Sequence, residues 1–239
     1  TFYANDLSEA GVKTRLLPSD TVTGRAYTLI TPDTERTFAT YLGAAVEMGA
    51  PELDESIFND YQVVHIEGYL VQNTRLIEEA FKIARKKGLT VSLDLASFNV
   101  VEGNLDFLKR VIPEYVDILF ANEEEALAFT GQGPEKALME IGELVSVAIV
   151  KTGKDGSLVT AAKEVAKIGV KPANVLDTTG AGDQYAAGFL YGYTKQLSLE
   201  KCGEMGALMA GSVIRNYGAR IPKELWHEVL DGIREIERK

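Results

Sequence analysis

Cysteine is nearly missing from this chain: its 239 residues hold one, Cys202. That excludes an internal disulfide and any Cys-rich metal site, and it suits a reducing compartment. Histidine is as scarce, and neither His65 nor His227 has ligand-type neighbours at metal spacing. His65 reads as a strand residue and His227 as part of a surface helix. No apolar run reaches the roughly 20 residues of a membrane span, and no charged-then-apolar leader precedes the first residue, so the chain reads as cytoplasmic. Positive charge is in deficit, with 25 Lys and Arg against 35 Asp and Glu and a net charge of −10. This argues against nucleic acid or an anionic membrane as the main partner. An anionic ligand would need a local positive field.

One stretch offers such a field: Asp177-Thr178-Thr179-Gly180-Ala181-Gly182-Asp183, followed by Gln184-Tyr185-Ala186-Ala187-Gly188-Phe189. The two glycines let the backbone turn tightly, and Tyr185, Ala186, Phe189 and Leu190 have a helical apolar period. Free N–H groups and the positive dipole end at a helix start make an anion site. Asp183 falls in that first turn, where a carboxylate is expected to stay ionised. No Lys follows the glycines, as a Walker A loop requires. Tyr185 stands where the dinucleotide fingerprint needs Gly or Ala. A phosphate cradle with a built-in carboxylate suggests phosphoryl transfer; the plainer alternative is a glycine turn into a helix with a first-turn charge.

The whole heptapeptide resembles the second signature of the ribokinase-like (PfkB) family of carbohydrate and nucleoside kinases. The resemblance implies that Asp183 is the catalytic base, that the N–H groups of Gly180, Ala181 and Gly182 form an anion hole with Thr179 beside the nucleotide, and that Asp177 lies near a monovalent-cation (K⁺) site. It also implies an opening region with a Gly-Gly signature and much of the substrate pocket. Nothing here matches that region, and Thr1-Phe2-Tyr3 leads straight into a short helix read as capped by Asp6. The expectation is one kinase domain over residues 1–239 lacking its N-terminal part.

Further along, Val22 to Ile30 and Arg36 to Tyr41 read as strands joined by Thr31-Pro32-Asp33-Thr34-Glu35, a hairpin signal. Thr28 with Ile30 and Phe38 with Thr40 suggest half-buried faces, while a plain edge hairpin is the reading the residues alone favour. The resemblance makes residues 21–42 a substrate-covering lid that doubles as a homodimer contact. From Tyr61 strands and helices alternate: strands at Val63 to Ile66, Leu89 to Leu95, Val116 to Ala121 and Val147 to Lys151, helices at Asn73 to Lys87, Leu105 to Ile112 (stopped by Pro113) and Glu123 to Thr130. The fold class is α/β, a mostly parallel sheet sandwiched between helices with a small β-hairpin lid. Ser198 to Tyr217 predicts a long helix whose small residues allow close packing, and Ile221 to Lys239 a closing helix with Pro222 in its first turn.

Ligands in such sheets sit beyond the carboxyl ends of the strands, where Glu67, Asp94 and Asn122 fall. Asn122 and Glu125 read either as a capped helix start or, resembling the family's Asn-x-x-Glu motif, as the residues that organise Mg²⁺ through water. Gly153 and Gly156 form a tight turn, which the resemblance lays against ATP. Glu67 and Asp94 are candidate substrate contacts, and Glu67-Gly68-Tyr69 is closest to adenosine-kinase-like sugar kinases. The reading is an ATP- and Mg²⁺-dependent kinase acting on a hydroxyl of a sugar or nucleoside. A nucleotide- or sugar-binding regulator on the same fold is the alternative.

Overall fold

The computed structural model describes residues 2–31 and 36–239. The hairpin turn expected at Thr31-Pro32-Asp33-Thr34-Glu35 therefore lies, apart from Thr31, outside the described residues. Helix α1 (Phe2–Glu9) precedes a two-stranded antiparallel sheet of β1 (Thr23–Ile30) and β2 (Arg36–Gly43). Asp6 does not cap α1. It lies inside the helix, and its carboxylate takes two hydrogen bonds from Arg220, at 3.0 and 2.6 Å.

A second sheet, of six strands, has the order β3 (Val63–Glu67), β4 (Thr90–Asp94), β5 (Ile118–Asn122), β6 (Val147–Lys151), β7 (Ser157–Ala161), β8 (Glu164–Ile168). The first four are parallel and the last two antiparallel. Between the strands run α2 (Thr74–Lys86), α3 (Phe98–Gly103), α4 (Leu105–Tyr115), α5 (Glu123–Thr130) and α6 (Pro134–Gly142); α7 (Ala181–Thr194), α8 (Leu199–Val213) and α9 (Trp226–Arg238) follow the sheet.

Strand side chains alternate between faces, and two cores result. Leu93, Leu119, Ala121, Ala148 and Val150 pack with Ile77, Phe81, Leu108, Phe129 and Leu138 on one side. Ile118, Phe120, Ile149 and Val159 pack with Tyr185, Phe189 and Cys202 on the other. The small residues of α7 and α8 serve close packing, as the sequence suggests. A Cβ on Gly188 would lie 2.5 Å from the Met205 carbonyl oxygen.

Several expectations need correction. Helix α4 passes through Pro113 to Tyr115, because Pro113 falls in the last turn on the exposed side, where water can serve the carbonyl that its missing N–H leaves free. The helix expected to reach Tyr217 ends at Val213, and the closing helix starts only at Trp226, after a short 3₁₀ turn at Lys223–Leu225. Among the described residues the lid hairpin shows no half-buried face, and the Ile30 side chain lies outside them. Thr28 and Phe38 are paired across it, and both they and Thr40 are exposed. Helix α6, opened by Pro134, and the short α3 were not anticipated. Among the described residues no helix is long and apolar enough to cross a membrane.

Candidate active site

The turn into α7 is built around Gly180, whose φ of 77° and ψ of 5° are left-handed. A Cβ there would stand 2.6 Å from the Ala219 Cβ, so both conformation and space require glycine. Asp177, 2% exposed, fixes the turn from below. One carboxylate oxygen accepts the Thr179 N–H at 2.9 Å and hydroxyl at 2.7 Å. The other accepts the Gly218 N–H at 2.8 Å, tying this turn to the loop after α8. The Ala181 N–H donates to the Thr178 carbonyl at 3.2 Å.

Asp183 is exposed to one side in the first turn of α7. Its carboxyl is nonetheless held above the usual range, first by partial burial and then by the carboxylates of Glu67 and Asp94, with Lys151 and His65 acting in opposition. The first-turn carboxylate expected from sequence is thus one of raised basicity, because partial burial and the carboxylates of distant strands outweigh Lys151 and His65.

Those neighbours share one face of the sheet through its register. Glu67 is level with Asp94, and Asn122 with Lys151. Glu67 remains 45% exposed and meets His65 Nε2 at 3.2 Å, while His65 Nδ1 meets the Ser92 hydroxyl at 2.9 Å. Asp94 is nearly buried. One oxygen accepts the Ala96 N–H at 3.0 Å and the other accepts Lys151 Nζ at 2.7 Å. Lys151 and His65 are the site residues that sequence reasoning passed over. The signal for Lys151 was available, since it ends a parallel strand just as Glu67, Asp94 and Asn122 do.

Asn122 and Glu125 form a reciprocal capping box on α5. Glu125 accepts the Asn122 N–H at 2.8 Å and side-chain amide at 2.7 Å, and Asn122 Oδ1 accepts the Glu125 N–H at 2.9 Å. Burial pushes the Glu125 carboxyl up to about 7 against the pull of Lys151. Among the described residues no three His, Cys, Asp or Glu are grouped to hold a metal ion directly. Each Glu125 oxygen has one hydrogen bond and so a lone pair to spare. The pair therefore fits Mg²⁺ held through water better than by direct ligation.

Gly153 and Gly156 flank a 3₁₀ turn between β6 and β7, with φ of 53° and 95°. The Thr152 N–H donates to the Gly156 carbonyl at 2.8 Å, and Lys154 is exposed. This turn and the Asn122, Lys151 and Gly180 groups all lie at the carboxyl end of the sheet, where an α/β fold binds ligands.

Comparison with known proteins gives the family. The pfkB family carbohydrate kinase pattern matches residues 1–226. The chain is 31% identical over 183 residues to cytidine kinase from Thermococcus kodakarensis, covering 74% of this chain and 63% of that protein. It is 29% identical over 238 residues to adenosine kinase from Saccharomyces cerevisiae, covering 92% and 69%. The solved structure of adenosine kinase from Sinorhizobium meliloti is similar with a TM-score of 0.88 at 35% identity, over 96% of this chain and 72% of that one. The chain thus spans about two thirds of the length of the curated relatives it matches. With the Asp177–Asp183 turn at the carboxyl end of a mostly parallel sheet and a match from residue 1 to 226, this chain belongs to the pfkB family of carbohydrate kinases.

Proposed function

We propose that this chain carries the phosphate side of an ATP-dependent kinase that transfers the γ-phosphoryl group to a hydroxyl of a sugar or nucleoside. The observation that carries the reading is Asp183: an exposed carboxylate of raised basicity, in the first turn of a helix entered through glycine. Raised proton affinity makes a carboxylate a better proton acceptor. Asp183 accepts the hydroxyl proton as that oxygen attacks, and the start of α7 at Gly180, Ala181 and Gly182 holds the charge that develops on the phosphoryl oxygens. The Ala181 N–H is shared with the Thr178 carbonyl, so Gly180 and Gly182 carry more of that work.

Gly153, Gly156, Thr179 and Asn122 line the nucleotide side in this reading. Asn122 and Glu125 would hold Mg²⁺ through water, and the ion would supply positive charge against the phosphates. A K⁺ site beside Asp177 is proposed on the family's pattern. Both Asp177 oxygens already accept hydrogen bonds, so its contribution there is charge and loop position more than ligation. Glu67, half-exposed on the rim, is the substrate-side contact. Tyr27, Leu29 and Tyr41 project from one face of the lid, 65%, 66% and 57% exposed, which supports a homodimer contact.

The test is ATP consumption by the full-length protein, with and without Mg²⁺, over ribose, fructose, 2-keto-3-deoxygluconate, adenosine, cytidine and inosine. Mg²⁺-dependent phosphorylation of at least one acceptor is expected. ATP bound but never consumed would favour the regulator.

A further inference from the structure

We propose that Lys151 is a positioning residue of the transfer step, and that Asp94 serves to hold its ammonium behind the turn into α7 rather than to bind substrate. This rests on the kinase reading above. The Lys151–Asp94 ion pair is 2.7 Å long, with side chains only 15% and 9% exposed. Burying two charges gives little net stability, since the desolvation cost can match the attraction gained. Apolar residues at these two strand ends would serve folding as well. The pair instead stands where the sheet faces its ligand.

Gly182 supplies an independent observation. It is helical and has no positive φ, so its backbone does not require glycine. A Cβ there would lie 3.2 Å from Lys151 Nζ. What the missing side chain provides is close approach of the ammonium to the turn. A helix start alone offers roughly half an elementary charge. Carboxylates of Glu67, Asp94, Glu125 and Asp183 surround this end of the sheet, and Lys151 is charged against them. Entry of a polyphosphate into so acidic a rim calls for a fixed cation. Asp94 is held in place for this, with one oxygen on Lys151 and the other on the N–H of Ala96, a left-handed residue with φ of 65°.

The experiment replaces Lys151 in the full-length protein. Lys151→Met keeps the length and removes the charge, and kcat should fall about 10²-fold, the scale of losing one preorganised anion-hole group, with the acceptor KM little changed. Asp183 is faced by Glu67, Asp94, His65 and Lys151. Losing the lysine should therefore move the acid limb of the kcat profile up by about 1 pH unit. Lys151→Cys treated with 2-bromoethylamine restores an ammonium on a chain of similar length and should recover activity, with buried Cys202 left unmodified.

A folded Lys151→Met with undiminished kcat and an unmoved acid limb, or aminoethylation without recovery, overturns the proposal. Should Lys151→Met not fold, Asp94→Asn takes its place; unchanged kcat there overturns the proposal equally. Asp183→Asn is the control. If it loses turnover while Lys151→Met does not, the base stands and only the role of the lysine falls.

Discussion

Gly180 is the position where turn geometry can be tested most cleanly. In Gly180→Ala the new Cβ must occupy a left-handed backbone, which costs an L-residue about 1–2 kcal/mol. It must also displace Ala219, whose Cβ would lie 2.6 Å and Cα 2.8 Å away. Overpacking of that kind adds about 1–3 kcal/mol, so the total loss is about 2–5 kcal/mol. Gly218→Ala is the matched control. Its φ of 86° is equally left-handed, but nothing lies within 4 Å of its added Cβ, so only about 1–2 kcal/mol is expected. Urea unfolding of the full-length protein and both variants gives the two losses, and their difference isolates the clash. Turnover should also fall further in Gly180→Ala, because displacing residue 219 moves the helix start. Equal destabilisation of the two variants would refute the close approach on which the shape of the turn rests.

Glu125 predicts a pH signature of stability. Its carboxyl is raised from 4.5 to about 7 in the folded chain, so the folded state binds the proton more tightly than the unfolded one. The stability this contributes is complete below pH 4.5 and disappears as pH rises through about 7, an effect of about 3 kcal/mol. Glu125→Gln should flatten stability against pH over that window in EDTA, and parallel curves for the two proteins would remove the claim. The cation site beside Asp177 predicts faster turnover in K⁺ than in choline at matched ionic strength. Equal rates would leave Asp177 with its role in joining the Thr179 and Gly218 loops alone.

The alternation from Val63 to Lys151 was readable because parallel buried strands and amphipathic helices leave strong local patterns. Leu76, Ile77, Ala80, Ile83 and Ala84 line the buried face of α2 as their spacing predicts. What could not be read was set by distant neighbours. Nothing local to Asp183 reveals that Glu67 and Asp94 raise its proton affinity, since register and crossover alone bring those strand ends together. Thr28 and Phe38 show the alternation of a half-buried hairpin, yet burial also needs a covering layer, and the described residues supply none for it. Pro113 reads as a stop because proline ends helices in their interior; in a last turn facing water the penalty is small. Lys151 is hidden in the sequence for another reason. A lysine at a strand end is usually solvated, and only the partner on β4 marks this one as buried.

Asp183→Asn tests the central claim most directly. Asparagine is nearly isosteric, so the turn, the start of α7 and ATP affinity should survive, while the hydroxyl proton loses its acceptor. Rates of phosphoryl transfer and ATP affinities measured on both full-length proteins should show turnover lower by about two to four orders of magnitude with affinity unchanged. Full turnover in Asp183→Asn would contradict the mechanism.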